Sequence, residues 1–383
     1  MADAFDWGLL EPAGALGASV GDDRVLAAMI DVEAALSGAW AELEGTGSAS
    51  SAPVFDLAAI DRGRLVAGAR AAGVPIIALV EQLREQAGGS AADVVHRGAT
   101  SQDIVDTALV SVSRDGLARA AEALAAAADA LAGLSARYRA TPVVARTLSQ
   151  PAEPTTVGAL FATWLDGVSS TREALDALSA SGFPVQLGGA VGTGAAFVRA
   201  SGRDDAPAIL RAAVARRLGL SDPGRAWQTD RTPVLAIADA AARVCAVTGR
   251  VGRDLALGAR DGVLRPATGG GSSAMPHKQN PVDAVILSAN GLRAPGLLAT
   301  LHTAALSSDA RPAGEWHAEW QAWRDLVRLA LESAEVLAHA VAELIVEASP
   351  SVDDVPADDL HLTAAGAVVD AAIARHRRLG ASR

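Results

Sequence analysis

Lysine is almost missing from this chain: of 33 basic side chains in 383 residues, Lys278 alone is a lysine and the rest are arginines. Asparagine is nearly as scarce, and one of its two occurrences, Asn280, stands two residues further on. A single cysteine, Cys245, excludes an intramolecular disulfide, and its apolar helical setting predicts a buried small hydrophobe. Aromatic residues make up 3% of the chain, so its hydrophobic half is mostly alanine and leucine, which favours helices. No arginine cluster with interleaved aromatics is present, and with a net charge of -11 this argues against nucleic acid as a partner. A small anionic ligand at a locally positive site is compatible with that charge. No uninterrupted apolar run approaches the roughly 20 residues that span a bilayer. The first residues, Met1-Ala-Asp-Ala-Phe-Asp-Trp7, lack the basic and apolar regions of a signal peptide, so no membrane partner and a cytoplasmic location are expected.

What is present is helical periodicity. After Thr100, apolar residues recur every seven positions at Val110, Leu117, Leu124, Leu131 and Tyr138, the seam of a long helix in a near-parallel bundle. It must stop near Thr141-Pro142, because proline disfavours a helical residue before it. Further long helices are expected from about 154 to 181, from 230–233 to 258, from Pro281 onward, and from the Asp309-Ala-Arg-Pro-Ala-Gly314 turn to about 346. The fold class is therefore all-α, with a central five-helix bundle over residues 100–346. It is preceded by an N-terminal helical domain (1–99) with helices near 23–44, 56–72 and 75–87 and a linker at 45–52. A short C-terminal helical segment (347–383) follows a hinge at 349–356. No alternating strand pattern of useful length is visible. Long alanine-rich helices leave apolar stripes that one bundle does not cover, which predicts burial against further subunits.

The lone lysine sits in Gly269-Gly-Gly-Ser-Ser-Ala-Met-Pro-His-Lys-Gln-Asn-Pro281. Three glycines permit unusual backbone angles and expose N–H groups, beside two serines, a lysine and an asparagine. A site that retains lysine where every other position is arginine calls for a compact ammonium instead of a planar fork. The spacing does not fit a phosphate-binding P-loop. A second segment, Gly98-Ala-Thr-Ser-Gln-Asp103, puts hydroxyls and an amide at a helix start, where free N–H groups and the dipole favour a carboxylate, although such residues also serve as plain caps. His317-Ala-Glu319 lacks the second histidine of a zinc motif, and Gly188-Gly-Ala-Val-Gly192 has no strand before it, so neither predicts a metal or nucleotide site. His339, His361 and His376 are expected to be solvated or packed, and Trp316, Trp320 and Trp323 to lie in the core or an interface.

Gly271-Ser-Ser-Ala-Met-Pro-His-Lys-Gln-Asn-Pro281 resembles the signature loop of the fumarase/aspartase superfamily. His96-Arg-Gly-Ala-Thr-Ser-Gln-Asp-Ile-Val-Asp-Thr107 and Arg146-Thr-Leu-Ser-Gln-Pro-Ala-Glu-Pro154 resemble its other two regions, in the same order. Within the superfamily, Gln186-Leu-Gly-Gly-Ala-Val-Gly-Thr193 and Trp316-His-Ala-Glu-Trp320 bring the chain nearest to the bacterial cycloisomerases that close 3-carboxy-cis,cis-muconate to a lactone. The resemblance covers roughly residues 90–345. It implies a homotetramer whose active sites combine the three regions from three subunits, and a small tricarboxylate as substrate. It implies Ser272 as acid/base, Ser273 being the alternative, with Lys278 beside the developing charge. His96, Thr100, Ser101, Gln102, Thr147, Gln150, Ser273, Met275, Asn280 and Arg311 are then the substrate-binding set. No metal or organic cofactor is implied.

One departure narrows the chemistry. Amine-expelling members carry a Thr-His pair in the second region, whereas this chain has Thr147-Leu148. Leucine cannot protonate a leaving group, but a carboxylate, with a pKa of about 4, leaves as a stable anion. A lactone-forming reaction tolerates the change better than an adenylosuccinate-type C–N lyase, the nearest alternative. A silent helical oligomer is the alternative of another class.

Overall fold

The computed structural model describes residues 10–14, 16–46, 53–266, 269–271, 274–275, 277–347 and 362–381. Three N-terminal helices come first, α1 (Asp22–Leu43), α2 (Arg62–Ala72) and α3 (Ile76–Ala87); the first and third keep within a residue of the limits read from sequence, while α2 starts six residues later than expected, after a separate short turn at Leu57–Ala59. The heptad seam then folds as α4 (Ser101–Arg137), whose 37 residues span about 55 Å at 1.5 Å per residue. Val110, Leu117, Leu124 and Leu131 are buried along it, and Tyr138 packs against the same core. At its start Thr100 and Asp103 bond each other's backbone in a capping box.

Where sequence reading found no strand, a hairpin of β1 (Pro142–Thr147) and β2 (Gln150–Thr156) follows α4 directly. Pro142, Pro151 and Pro154 hide its alternation, since proline is rare within strands and suggests a loop. α5 (Val157–Ser181) runs next, so Pro154 lies in a strand and not at the helix start. Two short helices, α6 (Ala195–Ser201) and α7 (Ala206–Leu218), were also not legible. With α1 they enclose a second apolar core around Trp40, Phe197 and Leu210. α8 (Thr232–Arg260), the two-residue β3 (Leu264–Arg265), α9 (Val282–Ala304) and α10 (Glu315–Ala342) complete the bundle. β4 (Ile345–Val346) pairs antiparallel with β3, ending the fifth long helix a few residues before the expected limit. α11 (Thr363–Ala381) packs on α5 and α4, and the hinge expected at 349–356 lies outside the described residues.

α10 lies parallel to α4 in fixed register: the Trp316 and Trp323 indoles donate to Asp106 and Ser113 at 2.9 Å, each 210 residues away. α8 and α9 run antiparallel with Gly249 facing Gly291, where an added Cβ on Gly249 would stand 2.9 Å from the opposite Cα. That approach needs two glycines, and it buries Cys245, whose thiol burial pushes up to about 12. α9 qualifies in length and apolarity as a membrane-crossing helix, with mean hydropathy 1.3 over 18 residues, which reading by uninterrupted runs misses. It packs against α8 and α10 on one side, while Val285 and Leu292 on the other are 58% and 81% exposed.

Candidate active site

The N-terminus of α4 is held by a ring of buried polar groups drawn from four segments. The Asp103 carboxylate accepts from the backbone N–H groups of Thr100, Gly188 and Gly189 at 2.8–3.0 Å and from the Gln186 carboxamide at 3.3 Å. Burial pushes its carboxyl up to about 7, while these N–H donors act in the opposite sense by stabilising the anion. Gln186 accepts from the Trp227 and Gln228 backbones, and the Gln228 amide reaches the carbonyl of Ala310 at 2.9 Å. The next residue, Arg311, is exposed and donates to the Thr100 hydroxyl, closing the ring on its solvent side. Gln228 has φ 26°, a backbone angle that non-glycine residues rarely adopt, and the hydrogen bonds around it hold it there.

Beneath this ring Arg231 is sandwiched between two buried carboxylates. It donates to Asp106 at 2.7 Å and to Glu319 at 2.6 Å, with all three side chains at most 2% exposed. Burial raises the Glu319 carboxyl and Arg231 opposes the rise. The pair accounts for the Glu of His317-Ala-Glu319, which is a buried ion-pair partner of Arg231. Arg231→Met would leave two carboxylates buried without a cation, so a loss of about 3 to 5 kcal/mol in unfolding free energy is expected in chemical denaturation. A loss below about 1 kcal/mol would mean the triad does not support this end of the bundle.

The three sequence regions do not converge within one chain. His96, Thr100, Ser101 and Arg311 gather at the N-terminal end of α4, beside the starts of α8 and α10. The 142–156 hairpin and the loop carrying Lys278 lie at the other end, after the C-termini of α4 and α8. Arg146 of the hairpin pairs with Asp261 at 3.1 Å, and both line a cavity of about 270 Å³ with Leu264. Roughly the 55 Å length of α4 separates the two groups.

Individual placements differ in kind. Gln102 is buried with its amide on Asp106 and on the carbonyl of Gln228, so it braces the ring instead of facing a ligand. Ser101 is half-buried in the first turn of α4. Thr147 and Gln150 are exposed and pair across a two-residue turn, Leu148-Ser149, whose φ values of 49° and 63° fit a type I′ hairpin. Such turns favour Asn-Gly, so a leucine here, 98% exposed, carries backbone strain of the kind that collects at functional sites. Lys278 is exposed, its backbone N–H bonded to the Met275 carbonyl at 3.0 Å, and no described residue pairs with its ammonium. Met275 is 42% exposed. Asn280 bridges Gly270 through the backbone, and its amide reaches the Gly271 carbonyl at 3.3 Å. Ser272 and Ser273 lie outside the described residues, as does His361. His339 and His376 pair with Asp283 and Asp129 at 2.7 and 2.8 Å.

Sequence reading missed Asp103, Gln186, Gln228, Arg231 and Glu33 as site supports. A signal existed for the first: Thr100-Ser-Gln-Asp103 has the capping-box spacing. The others act over 40 to 130 residues, where no local pattern reaches.

An all-α bundle of this kind, with a hydroxyl-rich start to α4 and a glycine-rich loop carrying the one lysine, has the architecture of the fumarase/aspartase superfamily of lyases. A family described as lyase matches residues 32–296, and the chain belongs to it. It is 38% identical over 365 residues to nitrosuccinate lyase of Streptomyces davaonensis, covering 91% of this chain and 77% of that protein. It is 37% identical over 328 residues to 3-carboxy-cis,cis-muconate cycloisomerase of Pseudomonas aeruginosa, covering 82% and 70%. The crystal structure of the 3-carboxy-cis,cis-muconate lactonizing enzyme from Pseudomonas putida superposes with a TM-score of 0.82 at 27% identity, over 95% of this chain and 97% of that one.

Proposed function

We propose that the chain catalyses addition and elimination of a weakly basic anion at a carbon–carbon double bond conjugated to a carboxylate, and specifically the cyclisation of 3-carboxy-cis,cis-muconate to 4-carboxymuconolactone. The observation that carries the reaction class is Leu148, and the likeness to 3-carboxy-cis,cis-muconate cycloisomerases supports the particular substrate. The strained hairpin tip, where amine-expelling members present a histidine, offers an exposed hydrocarbon, so the leaving group has no proton donor there. Carboxylates leave or attack as anions at neutral pH and need none.

In the forward direction a substrate carboxylate oxygen bonds to the alkene carbon. The π electrons move onto the conjugated carboxylate as an enediolate, and a proton is delivered to the adjacent carbon. Ser272 donates that proton, leaving an alkoxide that the glycine-rich amides and Lys278 stabilise. Lys278 also pairs with the enediolate, Asn280 holds a carboxylate oxygen, and a second carboxylate sits at the α4 N-terminus on Thr100, Ser101 and Arg311. The distance between the two ends of one bundle, together with the exposed apolar face of α9, supports a homotetramer in which one subunit's loop meets another's α4.

A second reading rests on the 38% identity to nitrosuccinate lyase: proton abstraction next to a carboxylate, departure of nitrite with the C–N electron pair, and formation of fumarate. Nitrite also leaves unprotonated, so Leu148 fits both reactions. Purified protein is to be mixed with 3-carboxy-cis,cis-muconate, nitrosuccinate and adenylosuccinate in separate assays. Loss of the diene absorbance with no fumarate is expected. Fumarate with nitrite would replace the first reading by the second, fumarate from adenylosuccinate would overturn the argument from Leu148, and silence in all three would remove both readings.

A further inference from the structure

His96 is a substrate-binding candidate, yet its backbone stands at φ 62°, and its ring meets a residue 63 positions earlier. The Nδ1 atom lies 2.6 Å from Oε1 of Glu33, which is 0% exposed in the middle of α1. The other carboxylate oxygen, Oε2, is buried with no hydrogen-bond partner among the described residues, and the polar contact those residues give this side chain is the imidazole. Leaving a buried carboxylate oxygen unsatisfied is costly and is retained where the other oxygen has a task.

The rest of the turn is pinned by α1, by the residue that caps it and by α3. The Trp40 indole donates to the Arg97 carbonyl at 3.0 Å, Glu44 takes the Arg97 guanidinium at 2.6 Å, and Arg84 donates to the Val95 carbonyl. Glu33 and Trp40 stand 7 residues apart on one face of α1, and Glu44 caps that helix 4 residues further on. A carboxylate only accepts, so Nδ1 carries the hydrogen and Nε2 is left for another group.

We propose that Glu33 is a positioning residue. By holding Nδ1–H it fixes the ring and tautomer of His96, so that Nε2 faces a substrate carboxylate at the α4 N-terminus. The assignment of that carboxylate rests on the function proposed above; the ring geometry does not. Because His96 would contact the carboxylate in ground and transition states alike, losing its orientation raises KM and leaves kcat nearly unchanged.

Two measurements on the full-length protein test this. In Glu33→Gln, which keeps the shape and removes the charge, KM is expected to rise about tenfold or more with kcat within about twofold and thermal stability close to wild type. A fall in kcat at constant KM, or no change in either, would overturn it. In ¹⁵N-histidine spectra taken without substrate, the signal that disappears in His96→Asn is expected to show the Nδ1–H tautomer in the wild type and to change in Glu33→Leu, which has no acceptor for that hydrogen, whereas the carboxamide oxygen of Glu33→Gln can still take it. The wild-type signal is also expected to move on adding propane-1,2,3-tricarboxylate. An unchanged tautomer in Glu33→Leu refutes positioning even if none of the assayed substrates reacts, and an unchanged signal with the tricarboxylate refutes the carboxylate contact. Should Glu33→Gln fail to fold, Glu33→Asp, which withdraws the carboxylate by one methylene, is read by the same measurements.

Discussion

Lys278→Ala is expected to give a folded, fully assembled protein whose kcat is lower by about a hundred- to thousandfold, the usual cost of removing one preorganised donor from a developing oxyanion. The fold has no stake in this side chain. Lys278 is exposed, and no described residue pairs with its ammonium, while its backbone bond to Met275 is indifferent to the side chain. A large kinetic effect without a stability effect is therefore the signature of chemistry. Lys278→Arg sharpens the test: charge is kept, but a planar five-donor fork replaces a compact ammonium on a short, glycine-flanked strap. If charge alone matters, arginine restores most of the rate; the abundance of arginine elsewhere in the chain argues that it does not. Single-turnover rates with thermal midpoints measured alongside decide the matter, and a loss below tenfold in Lys278→Ala removes the residue from the reaction.

The second large effect concerns mixing. Lys278→Ala and Arg311→Ala are each expected to be nearly inactive, yet oligomers reassembled from an equal mixture should recover about a quarter of wild-type activity. The two groups stand at opposite ends of a helix about 55 Å long, so no single subunit brings them to one small molecule. If a site takes its lysine from one subunit and its arginine from another, random assembly gives each site an intact lysine half the time and an intact arginine half the time. If each site belonged to one subunit, every chain in the mixture would carry one lesion and no site would be whole. Recovery near zero, with mixed oligomers demonstrated by mass, would refute the shared site. The physical motive for assembly is visible in α9: Val285 and Leu292 face outward on a helix apolar enough to be taken for a membrane span.

Much of this protein is local and could be read in one dimension. The seven-residue seam of α4, the proline stop at Thr141-Pro142 and the Gly-rich segment ending at Asn280 are patterns of neighbouring residues, and the helices begin and end close to where those patterns place them. The hairpin was hidden by its own prolines, and β3–β4 by its size, since two residues pairing across some 80 positions leave no periodicity. α6 and α7 are short alanine-containing helices stabilised by the Trp40–Phe197 core and not by a pattern of their own.

By itself the sequence determined the all-α class, the lengths of the main helices, and which loop carries the one ammonium. Helix propensity, apolar spacing and glycine content act between residues a few positions apart. Only the tertiary structure decided that Arg231 sits between Asp106 and Glu319, that Gln186 and Gln228 tie Asp103 to the Arg311 turn, that Glu33 faces His96, and that Lys278 and Thr100 lie at opposite ends. Those pairings depend on how helices pack over separations of tens to hundreds of residues, and a buried polar group finds its partner only when the core around it has closed.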